Sequence, residues 1–163
     1  MVVPDAGGLA PRPDGFLYLV GELDVSVRVL RWDGATATAT LVQAFPAATP
    51  GAASDLSLPA HLVLDGDRLL VCVRGADVIS TFAVDSRTGL LAPAGAVGSG
   101  GAWPRHFAVL NGACVVAHQH SGTVDVVNPA AGGSAPGGAA VVRRFLVPAP
   151  ACVVVAQLDS LSY

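Results

Sequence analysis

Glutamate occurs once in this chain, at Glu22, directly after the apolar run Phe16–Val20. A carboxylate there could act as general base on a water attacking a carbonyl; the alternative is a surface carboxylate at a strand end. Arg74 follows Val71-Cys72-Val73 and so leaves a core strand carrying a permanent, planar charge. Such a fork suits a carboxylate, a phosphate or an oxyanion; the alternative is an ion pair between neighbouring elements, for example with Asp77 or Asp85. Arg105 and His106 follow Trp103-Pro104 at the start of a strand, and period-two geometry sends them to opposite sides of it. Arg105 could hold an anionic substrate or tie two elements together. His118 and His120 stand two apart, a spacing open to zinc, but a complete site needs three or four ligands and no carboxylate or Cys partner is evident. No Gly-x-Ser-x-Gly elbow, P-loop or dinucleotide fingerprint occurs. Neither a metal nor a cofactor is expected.

The elements that must position these residues read as short strands. Apolar residues never recur with helical spacing over a helix's length, whereas period-two alternation and apolar runs of strand length are frequent. Phe16–Val20, Val25–Leu30 and Ala39–Phe45 come first. His61–Leu64, Arg68–Val73, Val78–Val84 and Leu90–Val97 follow, separated by turns at Asp65-Gly66-Asp67, Arg74–Asp77 and Asp85–Gly89. Phe107–Leu110, Ala113–Ala117, Thr123–Asn128 and Ala139–Val147 repeat the series, with Asn111-Gly112 as a hairpin turn. Glu22, Arg74 and Gln119 are matching points of this repeat, 52 and 45 residues apart, with an insertion read at 47–57 and a Gly/Pro loop at 128–138. Four short antiparallel strands every 40–50 or so residues are the signature of a β-propeller blade. The expected fold is therefore all-β, a partial β-propeller of three to four four-stranded antiparallel blades in one domain, 1–163. The blades fall near 13–58, 59–100 and 101–150, with a last strand at 151–157.

Bulk properties narrow the function classes. The net charge of −3 and a pI of about 5.7 argue against non-specific nucleic-acid binding, which needs a basic face. The chain is 52% hydrophobic, but no apolar run reaches the ~18 residues of a membrane helix. Cys72, Cys114 and Cys152 are odd in number and lie in apolar runs, so they read as buried free thiols. With no signal-peptide pattern at the N-terminus, they point to a reducing, cytoplasmic setting.

Five stretches, in order, resemble one family. They are Phe16-Leu17-Tyr18-Leu19-Val20-Gly21-Glu22-Leu23; Val71–Ser80 with Phe82–Leu90; Gly100-Gly101-Ala102-Trp103-Pro104-Arg105-His106-Phe107; Val116-Ala117-His118-Gln119-His120-Ser121; and Val147-Pro148-Ala149-Pro150-Ala151-Cys152-Val153. Between about Pro13 and Val155 the chain is similar to the C-terminal half of the 6-phosphogluconolactonase propellers, which have seven blades and include relatives that cycloisomerise carboxymuconate. The resemblance implies cofactor-free acid/base and arginine chemistry in a funnel at one end of the ring. It implies catalytic roles for Glu22 and Arg74 and substrate-binding roles for Arg105, His106, His61 and Gln119. His61 stands where the family has the histidine of a Glu-Ile-His, with Pro59 in place of its glutamate. The small-molecule substrate so implied is a sugar lactone or another anionic compound.

The chain also departs from that family. The family's Pro-Arg-His before the glutamate strand has no counterpart in Asp5–Arg12, and roughly half of the ring is absent. Half a funnel would leave its polar groups in water, which weakens preorganised electrostatics. Two expectations follow. One is a 6-phosphogluconolactonase-type hydrolase of the pentose phosphate route, working as a homodimer that completes the ring or inactive as truncated. The other is a non-catalytic propeller fragment that serves as an interaction or scaffold module.

Overall fold

The alternating runs fold as the pattern predicts. The computed structural model describes residues 6–48, 56–129 and 141–156. Among these there is no helix, and twelve strands form three four-stranded antiparallel sheets, each taken up in chain order. The first blade holds β1 (Ala6–Pro11), β2 (Phe16–Gly21), β3 (Ser26–Asp33) and β4 (Thr38–Pro46). The second holds β5 (Leu58–Asp65), β6 (Arg68–Arg74), β7 (Val78–Val84) and β8 (Leu91–Gly98). The third holds β9 (Pro104–Leu110), β10 (Ala113–His118), β11 (Thr123–Val127) and β12 (Val141–Leu146). The leading strand β5 meets both β1 and β9, so the leading strands are the inner strands of three radial blades.

Two cores lie between the blades. Strand β6 is buried on both faces: Leu69, Val71 and Val73 pack with Tyr18, Val20, Val27 and Val29 of the first blade. Leu70 and Cys72 pack with Phe107, Cys114 and Val116 of the third. That double burial explains why β6 reads as an unbroken apolar run, whereas β3 alternates. Polar ties reinforce the first interface. Tyr18 is fully buried, and its hydroxyl donates to the Gly89 carbonyl at 2.9 Å. Gln43 both donates to the Leu91 carbonyl (3.1 Å) and accepts from the Leu91 N–H (2.9 Å).

The blades share one turn at the end where the candidate residues sit. The connections 22–25, 74–77 and 119–122 each have four residues, flanked by the pairs Gly21↔Ser26, Val73↔Val78 and His118↔Thr123. The fourth residue of each, Val25, Asp77 and Gly122, has positive φ. Its carbonyl accepts a hydrogen bond from the residue just beyond the fourth strand or close to it, Ala47, Ser99 or Val147. Left-handed backbone is costly for Val, so the fold, and not local preference, sets that conformation in the first blade.

Three expectations are revised, and others fall outside the described residues. The strand pattern begins the first blade at 13, but β1 supplies its inner strand from Ala6, within the stretch read as lacking its motif. The apolar run at 151–156 is not a strand, although a last strand was expected over 151–157. Cys152 is exposed, whereas Cys72 and Cys114 are buried as expected. Most of the insertion at 47–57 and of the loop at 128–138, together with 139–140 and 157, lies outside the described residues.

Candidate active site

Glu22, Arg74 and Gln119 occupy the same place in three successive blades, the first residue of the shared turn. Radial repetition therefore gathers them at one end of the molecule. Glu22 and Arg74 meet across the first blade interface, with Arg74 Nη2 2.6 Å from Glu22 Oε1. The Arg74 side chain is only 9% exposed and Glu22 is 33% exposed. Arg74 Nε also reaches toward the Leu58 carbonyl, at 3.4 Å. Arg74 thus makes the ion pair between neighbouring blades that was its alternative, with Glu22 as the partner: Asp85 bonds its own turn, accepting from the Arg87 and Thr88 N–H groups, and Asp77 accepts from Gly75 and Trp103.

The inner strands carry a second repeated feature. Each inner ladder skips one residue, Gly7 in β1, Ala60 in β5 and Arg105 in β9. A bulge puts two residues opposite one and re-aims the side chains beside it. Simple alternation, which sent Arg105 and His106 to opposite sides, therefore does not hold at this point. Exposed Arg105 donates from Nη1 to Gln119 Oε1 at 2.9 Å. The residues just past the bulges, Gly8, His61 and His106, are equivalent. His61 and His106 stack, with ring centroids 3.8 Å apart and 19° between the planes. Burial, and then the charge of His106, pulls the His61 pKa down to about 4, and burial also lowers that of His106. Both imidazoles are neutral near pH 7. Gly8 stands in the slot of the missing Pro-Arg-His: Ala6-Gly7-Gly8 takes the positions of Pro104-Arg105-His106.

Trp103 has no role of its own in the sequence pattern beyond its place before Pro104-Arg105-His106, yet it lies among these groups. The Arg74 guanidinium carbon is 5.5 Å from its ring centroid, and the His120 imidazole stacks on it at 4.5 Å. The signal in sequence was an aromatic next to Pro104-Arg105-His106, but its contacts depend on a turn conformation that sequence does not announce.

His118 and His120 do not converge. His118 is fully buried, its Nδ1 3.2 Å from the buried Asp125 carboxylate, while His120 lies exposed on Trp103. Burial, opposed by the Asp125 charge, lowers the His118 pKa. Asp125 is held by Arg144 Nε at 2.6 Å and by the Thr123 hydroxyl at 3.0 Å. Among the described residues no group of three or more His, Cys, Asp or Glu gathers as a metal site.

Radial four-stranded antiparallel blades define the class, a partial β-propeller, here with acid, arginine and imidazole groups gathered at one end. Within that class, the family described as "Lactonase, 7-bladed beta-propeller" matches residues 10–155, and the chain belongs to it. Among solved structures, the chain is 27% identical to the periplasmic gluconolactonase of Pseudomonas aeruginosa, with a TM-score of 0.75 over 88% of this chain and 40% of that one. It is 25% identical to a putative 6-phosphogluconolactonase from Bacteroides uniformis, with a TM-score of 0.69 over 88% and 41%. A Lactobacillus plantarum protein, 24% identical, shares the fold with a TM-score of 0.74 over 88% and 42%. The chain thus spans about two fifths of the length of the structures it matches. No curated protein matches it. No helix among the described residues is long and apolar enough to cross a membrane.

Proposed function

We propose that this chain carries part of the site of a sugar-lactone hydrolase of the 6-phosphogluconolactonase type. One observation supports the reading most strongly: the only glutamate and a nearly buried arginine meet across a blade interface, at the turn position the third blade gives to Gln119. Lactone hydrolysis adds a water oxygen to the carbonyl carbon and breaks the ring C–O bond. Glu22 takes a proton from that water and returns it to the ring oxygen, which leaves as a hydroxyl. Arg74 has five N–H donors in a fixed fork, so it can keep its contact with Glu22 while others face the oxyanion. Arg105, steadied by Gln119, receives the substrate's anionic group. The neutral His61–His106 stack forms a wall that contacts the sugar. The names of two matched structures, a gluconolactonase and a putative 6-phosphogluconolactonase, are consistent with this assignment. The free, buried thiols Cys72 and Cys114, which burial holds at about 12 and about 11, fit a reducing, cytoplasmic compartment.

A second reading, a non-catalytic interaction module, is favoured by the exposed apolar side chains of the last blade, with Val142 69% and Leu146 84% exposed. Calorimetric titration with 6-phosphogluconate, the product anion, separates the two. The lactonase reading expects saturable binding, weakened roughly tenfold or more in Arg105→Ala, as for the loss of a charged contact. A folded chain that binds no sugar phosphate supports the module.

A further inference from the structure

Trp103 holds a backbone conformation that its side chain does not favour. Its φ is +65°, in the left-handed region that bulky residues leave unless their surroundings fix them. Two hydrogen bonds do the fixing. The Trp103 N–H donates to Asp77 Oδ1 at 2.8 Å, and its carbonyl accepts from the Gln119 N–H at 3.1 Å. Asp77 closes the turn that Arg74 opens, and its carboxylate also accepts from the Gly75 N–H at 3.2 Å. Gln119 opens the equivalent turn of the next blade and bonds Arg105. One residue's backbone therefore ties the Arg74 turn to the Gln119 turn.

The ring adds to this tie. The Arg74 guanidinium carbon lies 5.5 Å from the indole centroid, within cation–π range, and His120 stacks against the same indole with 18° between planes. The backbone position alone would suit glycine better, so the indole is the part that the fold carries at a conformational cost.

We propose that Trp103 is a positioning residue. Its ring holds the Arg74 guanidinium in the pose that meets Glu22, and its backbone registers Arg74 against the Gln119–Arg105 pair. The consequence for catalysis rests on the lactonase reading, but the positioning can be read without any substrate.

The test uses the 163-residue chain labelled with 15N-arginine. The Arg74 Nε–Hε cross-peak, assigned by its loss in Arg74→Lys, reports how firmly the guanidinium is held. Trp103→Gly suits the left-handed backbone and removes the ring, so its thermal midpoint is expected to match or exceed that of the parent. Its Arg74 Hε exchange should nevertheless quicken about tenfold, the scale of a lost cation–π contact. Trp103→Leu keeps apolar bulk without the π face and should loosen Arg74 similarly, whereas Trp103→Phe should keep it held. Where Trp103→Gly does not fold, the Leu and Phe variants decide. A residue that serves packing alone would lower the thermal midpoint and leave the cross-peak intact, and an unchanged Arg74 signal in folded Trp103→Gly or Trp103→Leu overturns the proposal. Absence of lactone hydrolysis in the parent chain would count against the lactonase reading and leave the Arg74 signal to decide the positioning.

Discussion

The histidine stack makes a prediction that can be signed. The folded-state pKa of His61 lies near 4, below the ordinary 6.5, because the folded chain buries the ring beside His106. The unfolded chain therefore binds a proton first as pH falls. Stability is expected to be full above about pH 6.5 and to decline between about 6.5 and 4, with His106 adding in the same direction. His61→Asn should flatten that part of the profile, measured as the denaturant midpoint against pH. A profile unchanged by the substitution would place the imidazole in solvent. The Glu22–Arg74 pair predicts coupling: once one partner is removed, removing the second should cost much less, because the contact is already lost. Unbinding of 6-phosphogluconate in Glu22→Gln, Arg74→Ala and the double variant measures it, and simple additivity would contradict a working pair.

Turn equivalence brings predictions about elements. The β3–β4 and β7–β8 connections both open on an aspartate whose Oδ1 accepts two backbone N–H groups, Asp33 from Ala35 and Thr36 and Asp85 from Arg87 and Thr88. Four residues on, one turn has Ala37 at φ +50° and the other Gly89 at φ +68°. Ala37→Gly should stabilise by about 0.5–1 kcal/mol, since the exposed left-handed position suits glycine. Gly89→Ala should destabilise by about 3 kcal/mol, because a Cβ there would fall 2.5 Å from the Phe16 ring at a strained φ. Thermal or urea melts of the two variants check the pair, and equal effects would deny the equivalence.

These elements also show why some were legible in the sequence and others were not. Strands β3 and β6 announce themselves through alternation or an unbroken Val/Leu run. Strand β1, Ala-Gly-Gly-Leu-Ala-Pro, has no β-branched residue, and its pairing with β2 and packing on β5 make it a strand. The run Cys152-Val153-Val154-Val155 reads as a strand, yet no described strand pairs with it. At the site, the repeat interval made Glu22, Arg74 and Gln119 findable. The Trp103 contacts were not, because they follow from a left-handed backbone held by Asp77 from the preceding blade.

At the scale of the whole molecule, the outer faces of the first and third blades meet no further blade among the described residues. Every residue of β12 is exposed, and Leu41 and Val42 of β4 are nearly half exposed. Apolar patches on an unpaired edge strand invite another chain. We propose that a second copy covers them, giving light scattering at roughly twice the 16.3 kDa chain mass, reduced to one chain mass in the double variant Val142→Asp and Leu146→Asp. A monomer at all concentrations would contradict ring completion by self-association.

The most direct measurement is the rate of 6-phosphogluconolactone hydrolysis by the purified chain, corrected for spontaneous opening, beside Glu22→Gln and Arg74→Ala. The account predicts turnover above background that falls at least about a hundredfold in each variant, the scale of a lost general base or oxyanion donor. Turnover indistinguishable from background in the folded parent chain, or turnover that survives both substitutions, would contradict it.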